Sequence, residues 1–278
     1  MVSMAVLLYN KIKHIIGMYE KEVRIMTKIV MHGCNGHMGR VITDLCMNDS
    51  AATIVAGVDK FKGIDNDYPV FDSLEEVDVD YDVVIDFSTA AAVDGLLDVC
   101  EKTGKPVVLC TTGLDDNQLA HVDAASKKVA ILRSANMSLG INTLFDLCKK
   151  ATQIFADAGF DIEIVEKHHN QKLDAPSGTA LALADACNDA LDEKYEYCYA
   201  RADRREKRPK NEIGISAVRG GNIVGEHEVI FAGLDEVITI KHTAYSKSVF
   251  AKGAVEAAKF LAGKSAGLYD MKEVIAEK

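Results

Sequence analysis

Tryptophan is absent from this sequence of 278 residues, and proline occurs only four times. Proline-rich linkers and collagen-like repeats are thereby excluded. The seven cysteines are scattered, odd in number and without a C-x-x-C pair, so no disulfide framework is expected. Most lie in apolar runs, where a free thiol acts as a small hydrophobe. An oxidising compartment would be expected to pair them, so a cytoplasmic location fits better. No ligand cluster suits zinc, and no metal is expected. Long apolar runs are lacking too: none approaches the ~20 residues that cross a bilayer, so no membrane role is expected. The net charge of −10 is the opposite of the basic surface that nucleic-acid binding needs.

The composition that remains, 48% hydrophobic and 27% charged, is that of a globular protein long enough for one large domain or two modest ones. Residues 1–26 stand apart as an extension. The apolar stretch at 4–9 is shorter than a signal-peptide core, while Leu8, Ile12, Ile15, Ile16 and Tyr19 have the spacing of a short amphipathic helix. A strand pattern begins directly after Met26, so the expectation is either a true start at Met26 or a dispensable segment.

From residue 27 onward, strands expected at 27–32, 53–58, 82–87, 107–110 and 129–133 alternate with helices at 38–47, 88–102 and 115–127. Ser88 is the expected cap of the second helix. Apolar strands alternating with helices imply a parallel sheet covered on both faces. The second half reads differently: a helix at 142–156, a strand at 161–168, a helix at 179–191, strands at 212–218, 226–232 and 237–244, and a last helix at 248–261. Strands that follow one another without helices imply a mixed sheet. The expected fold is α/β, a Rossmann-type doubly wound parallel sheet followed by a smaller α+β domain. The expected division is 27–137 for dinucleotide binding and 138–247 for substrate and oligomerisation, with 248–278 returning to the first domain. Two charge runs read blandly: nine acids between Asp65 and Asp86 as a solvated connection, and six basic residues in 201–210 as an exposed helix end or loop rather than a phosphate patch.

Gly33, Cys34, Asn35, Gly36, His37, Met38 and Gly39 lie between the first strand and the first helix. A dinucleotide pyrophosphate needs a tight turn, close backbone approach and the free N–H groups of a helix start. Asp59, at the end of the second strand, stands where an acid would bind the adenosine ribose. Lys60 beside it could neutralise a 2′-phosphate, so NADH is favoured and NADPH still admitted.

The stretch from Glu166 to Ala180 concentrates the chemistry. His168 and His169 end a strand, Lys172 follows, and Pro176, Ser177, Gly178 and Thr179 open a helix. Histidine suits proton transfer near neutral pH, lysine brings a compact cation, and a helix N-terminus offers N–H groups to a carboxylate. Together they describe a pocket for a small anion undergoing proton-coupled chemistry.

These residues closely resemble the 4-hydroxy-tetrahydrodipicolinate reductase (dihydrodipicolinate reductase) family. The E-x-H-H-x-x-K-x-D-x-P-S-G-T-A pattern matches at 166–180, G-x-x-G-x-M-G at 33–39 and T-T-G at 111–113, and 218–227 looks like the family's strand signature. Ser134-Ala-Asn-Met-Ser138 departs from the family's A-P-N-F-S. The resemblance implies NADH- or NADPH-dependent reduction of a cyclic imine dicarboxylate with loss of water, in lysine biosynthesis. It implies that His168 moves the proton and Lys172 stabilises charge, while His169, Ser177, Gly178 and Thr179 hold the dicarboxylate. Residues 33–39 would hold the pyrophosphate, and Asp59 and Lys60 would meet the ribose. Phe87, Thr111, Thr112, Gly113, Ala135, Asn136 and Met137 would line the cofactor, with Lys247 a further candidate. The family is typically homotetrameric through the second sheet. Two other readings remain open: a dehydrogenase for another amino or oxo acid, resembling an aspartate dehydrogenase, and a catalytically silent dinucleotide-binding regulator.

Overall fold

The computed structural model describes residues 26–277, and the expectations for residues 1–25 lie outside the described residues. The first sheet is built from Thr27–His32 (β1), Ala52–Val58 (β2), Val70–Phe71 (β3), Val83–Asp86 (β4), Val107–Leu109 (β5), Ala130–Leu132 (β6) and, from the end of the chain, Gly267–Tyr269 (β12). Its order is β12-β6-β5-β4-β1-β2-β3, and every pairing is parallel. Its central strands carry apolar runs, Ile29–Met31 in β1 and Val83–Ile85 in β4, as a sheet covered on both faces requires. Helices His37–Met47 (α1), Ser248–Leu261 (α6) and Met271–Ala276 (α7) pack on the face carrying Ile29, Met31 and Ile85. Helices Ala90–Thr103 (α2) and Asp116–Ala125 (α3) cover the face carrying Val30, Val84 and Ile131.

The second sheet comprises Asp161–His168 (β7), Glu196–Cys198 (β8), Glu212–Arg219 (β9), Gly225–Ala232 (β10) and Val237–Ala244 (β11), in the order β11-β10-β7-β9-β8. It is mixed: β7 runs parallel to β9 and antiparallel to β10. Helices Leu139–Phe155 (α4) and Gly178–Asn188 (α5) bury one of its faces, where Ile162, Ile164, Ile213, Val229 and Phe231 meet Leu144, Phe145 and Leu183. Each such side chain contributes about 1.5–3 kcal/mol on leaving water. The expected α/β architecture is thus present, with both sheets of the expected kind.

Several local expectations change. Ser88 does not cap α2; Thr89 is the N-cap residue and makes no side-chain cap bond, while the Ser88 hydroxyl is buried without a partner among the described residues. The acid-rich stretch is no simple solvated connection. Its interleaved apolar residues form β3 and a 3₁₀ turn at Leu74–Glu76 and bury Leu74 and Tyr81, and Asp86 is itself fully buried. The basic run is a loop folded back on acids of the second sheet. Arg201 meets Glu163 at 2.7 Å, Arg204 meets Glu212 at 2.7 Å, and Arg208 meets Asp161 at 2.8 Å. Those three guanidiniums are already neutralised, while Arg205, Lys207 and Lys210 stay exposed on the loop.

Candidate active site

The glycine turn leaves β1 beside β4, where the connections of the parallel sheet diverge to opposite sides; a crevice at such a switch point is the usual ligand site. Gly33 has φ +83°, and a Cβ there would meet the Phe87 carbonyl oxygen at 2.6 Å. A Cβ on Gly39 would lie 2.3 Å from the Gly33 oxygen, so helix and turn are in backbone contact. Helix α1 begins at exposed His37 without a side-chain cap, its first N–H groups facing the turn. This tight backbone and open helix start fit a pyrophosphate.

Not every residue of the turn faces that site. Cys34 is fully buried, and burial, with Asp59 nearby, pushes its thiol up to about 11. The Asn35 side chain donates to the Phe61 carbonyl, and its N–H donates to Asp59 Oδ2 at 3.0 Å. Asp59 Oδ1 accepts the Phe61 N–H at 2.9 Å. Each Asp59 oxygen keeps lone-pair capacity for a ribose hydroxyl. Lys60 is exposed.

The ends of β4, β5 and β6 bring up the other candidates. Thr111 is buried and donates its hydroxyl to Asp86 Oδ2 at 2.6 Å, while Thr112 and Gly113 are exposed. Phe87, partly buried, packs against the core under α1 and α6. His32 Nδ1 lies 2.7 Å from Asp86 Oδ1, so Asp86 stitches three strand ends together under the crevice. Sequence reasoning missed this cluster, whose one signal is a carboxylate ending an apolar strand. Ala135 is exposed. Met137 is buried against α6, where a Cβ on Gly253 would reach within 1.6 Å of the Met137 oxygen, so its side chain belongs to the core rather than to an open surface. Asn136 is the bridge: its Nδ2 donates to Thr179 Oγ1 at 3.1 Å, across to the start of α5. Lys247 stands exposed in the turn before α6, and no hydrogen bond joins it to these groups among the described residues.

On the second sheet, alternation along β7 places Ile162, Ile164, Glu166 and His168 on one face. The first two build the core and the last two build the site. His168 is 8% exposed, and its Nδ1 lies 2.5 Å from Glu166 Oε2. Lys172 sits in the following loop, 2.8 Å from Asp174. That contact holds the Asp174 carboxyl below its usual range. His169 is half-buried at the start of the same loop. Gly178 and Thr179 open α5. Ser177 caps that helix by accepting the Ala180 N–H, and its Oγ lies 3.1 Å from His227 Nε2. Only 2% exposed, Ser177 shapes the helix start more than it meets solvent.

His227 was not anticipated. It faces Glu166 across the β7–β10 pairing, and its ring meets the His168 ring edge-on at 5.1 Å. Burial, assisted by the nearby His168, pushes it down from 6.5 to about 4. Between those values the unfolded chain takes up a proton that the folded ring refuses, so this group removes stability as pH falls through that window. The loss is on the order of 3 kcal/mol when complete. Urea unfolding of the protein and of His227→Gln at pH 7 and pH 4 tests this. The variant should gain on the parent by about that amount at the lower pH; an unchanged difference would mean that His227 titrates alike in both states.

Comparison with known proteins agrees with this geometry. Residues 27–137 match the family model described as dihydrodipicolinate reductase, N-terminus, and residues 140–275 match that of its C-terminus. The chain is 54% identical over 251 residues to the 4-hydroxy-tetrahydrodipicolinate reductase of Caldanaerobacter subterraneus subsp. tengcongensis, covering 90% of this chain and 99% of that one. It is 50% identical over 253 residues to the same-named enzyme of Clostridium novyi, covering 91% and 100%. The fold is that of the dipicolinate-bound dihydrodipicolinate reductase from Paenisporosarcina sp. TG-14, with a TM-score of 0.74 at 24% identity over 90% of this chain and 99% of that one. The chain belongs to the dihydrodipicolinate reductase family.

Proposed function

We propose that this protein reduces 4-hydroxy-tetrahydrodipicolinate to tetrahydrodipicolinate with loss of water, using NADH or NADPH, in the diaminopimelate route to lysine. The observation that carries the reading is the Asn136–Thr179 hydrogen bond, which makes the nucleotide crevice and the helix start of α5 two walls of one site. Bound reduced nicotinamide would supply the hydride. The glycine turn and the start of α1 would seat the pyrophosphate, and Asp59 would take the ribose hydroxyls. Thr112, Gly113 and Ala135, exposed at the rim, would face the nicotinamide half.

The chain's own residues do the rest. His168 supplies the proton that the reaction consumes, from a ring held at the closed end of a strand. Lys172 brings a positive charge to the substrate carboxylate and to charge that develops during reduction. His169 and the N–H groups at Gly178 and Thr179 hold the dicarboxylate. Residues 138–247 form the substrate domain and close on residues 27–137, excluding water from the hydride step. A homotetramer in the cytoplasm is the proposed state. Its support is the second sheet's outer face, which no helix covers among the described residues and which carries Val165 and Ile230 beside the Lys167, Lys241, Glu226 and Glu228 ion pairs. The seven free cysteines fit a reducing compartment.

The test is oxidation of NADH and of NADPH by the purified protein, with substrate made in situ by condensing pyruvate and aspartate semialdehyde. Substrate-dependent oxidation is expected. None with either cofactor, from folded protein that binds NADH, would overturn the reading. In the same assay Lys60→Ala should raise the KM for NADPH by about fivefold and leave that for NADH nearly unchanged, since one exposed ion pair contributes up to about 1 kcal/mol. Equal effects on both cofactors would remove Lys60 from recognition of the 2′-phosphate.

A further inference from the structure

Glu166 is 0% exposed, in the third place of a row that begins Ile162, Ile164. A buried carboxylate is costly unless it is paired and fully hydrogen-bonded. Here it is both. Arg219, opposite His168 in the β7–β9 pairing, donates from Nη1 to Oε2 at 2.8 Å and from Nη2 to Oε1 at 2.7 Å. The Ser177 N–H donates to Oε1 at 3.0 Å, and His168 Nδ1 completes the set on Oε2. Burial alone would push the Glu166 carboxyl up. The bonds from Arg219, His168 and Ser177 together outweigh it and hold the group below its ordinary value.

An ionised carboxylate only accepts, so His168 Nδ1 must carry a hydrogen whenever this bond is made. The neutral ring then has its lone pair on Nε2. That nitrogen lies over Gly225, where a Cβ would come within 3.1 Å of it, so no side chain at that position crowds Nε2. Arg219 also donates to the Asp174 carbonyl at 2.5 Å, in the loop that carries Lys172. One carboxylate therefore gathers β7, the start of α5 and, through Arg219, the Lys172 loop.

We infer that Glu166, gripped by Arg219, is the positioning residue of the site, fixing the His168 tautomer so that Nε2 exchanges the proton and setting Lys172 and the helix start of α5 around it. The inference rests on the reductase reading and deepens it. A merely structural ion pair would predict otherwise for an isosteric amide. In Glu166→Gln the Oε1 position receives two donors that cannot reverse, Ser177 N–H and Arg219 Nη2, so the amide oxygen stays there and the NH₂ turns toward His168 Nδ1, displacing Arg219 Nη1. The ring must then accept there and carry its hydrogen on Nε2, the wrong form for taking up a proton at that atom.

The experiment measures turnover of the holoenzyme, dipicolinate binding, and ¹⁵N signals of the imidazoles, with His168 assigned by the signal lost in His168→Gln. Glu166→Gln should lower kcat by about 10²-fold or more, keep dipicolinate binding within about threefold, and move the neutral His168 signal from the Nδ1–H to the Nε2–H pattern. Glu166→Asp, which restores the charge one methylene short, should recover part of kcat. Near-parental kcat in Glu166→Gln, or an Nε2–H tautomer in the unaltered protein, would overturn the inference. If Glu166→Gln does not fold, Glu166→Asp and the spectrum of the unaltered protein decide. An unaltered protein without turnover but with the Nδ1–H tautomer would sink the reductase reading and leave the positioning role standing.

Discussion

Lys172→Ala should lower kcat/KM by about 10²-fold or more and weaken dipicolinate binding, while His168→Ala should lower kcat by a similar factor and leave dipicolinate bound within a few-fold. The difference follows from what each side chain can offer. Lys172 is a compact cation whose ammonium is held by Asp174 at 2.8 Å and is 23% exposed, so a carboxylate entering the loop can share it. Its loss removes attraction in the bound state and in the transition state alike. Asp174 is 55% exposed and stays hydrated without its partner, so the fold should survive. His168 is enclosed, and in the proposed reaction its value lies in moving a proton rather than in holding charge. Paired steady-state kinetics and dipicolinate titrations separate the two, because a binding defect raises KM and a proton-transfer defect lowers kcat. Near-parental turnover in both variants would remove these residues from the reaction.

Much of this site was legible before any coordinates, because its parts are local in sequence. The glycine turn, the paired histidines, the lysine three residues beyond His169 and the helix opening at Gly178 each announce themselves by spacing. The strands at Asp161–His168 and Val237–Ala244 and the helix at Ser248–Leu261 fall where periodicity places them. Four short elements did not show: β3, β8, β12 and α7 are two to six residues long. The three strands lack the wholly apolar three-residue runs that mark the comparably short β5 and β6, and α7 is too short to show a helical period. The cap of α2 also misled, because two hydroxyl residues, Ser88 and Thr89, stand side by side and the chain turns one residue later than the first allows.

What the sequence hides most completely is the polar bonding that crosses it. Glu166 and Arg219 are 53 positions apart, Ser177 and His227 are 50, and Asp86 meets residues 54 positions before it and 25 after it. No local pattern pairs such residues. Only strand register brings them together, as when β7 and β9 run parallel and set Arg219 beside His168. The basic run at 201–210 teaches the same lesson from the other side. Arg201, Arg204 and Arg208 look available until the fold supplies Glu163, Glu212 and Asp161.

The glycine turn separates two kinds of glycine, and the second large effect is expected there. A Cβ on Gly39 would lie 2.3 Å from the Gly33 oxygen and 2.5 Å from the Cys34 oxygen, both backbone atoms that cannot rotate away. Gly39→Ala must therefore push α1 off the turn. Overpacking of this kind costs about 1–3 kcal/mol, and it displaces the N–H groups proposed to seat the pyrophosphate. NADH affinity should fall by about 10²-fold, with a lowered melting temperature. Gly36 is exposed, has an ordinary φ of −70°, and a Cβ there would meet only the Gly33 oxygen at 3.3 Å. Gly36→Ala should fold with nearly parental stability. It should still lose about tenfold in NADH affinity, because its methyl would stand where the pyrophosphate approaches the backbone. Thermal melting and NADH titration of the two variants give the answer. A Gly36→Ala protein that binds NADH as tightly as the parent would place the pyrophosphate away from this turn. A Gly39→Ala protein that melts and binds normally would mean that α1 sits less tightly on the turn than the 2.3 Å approach requires.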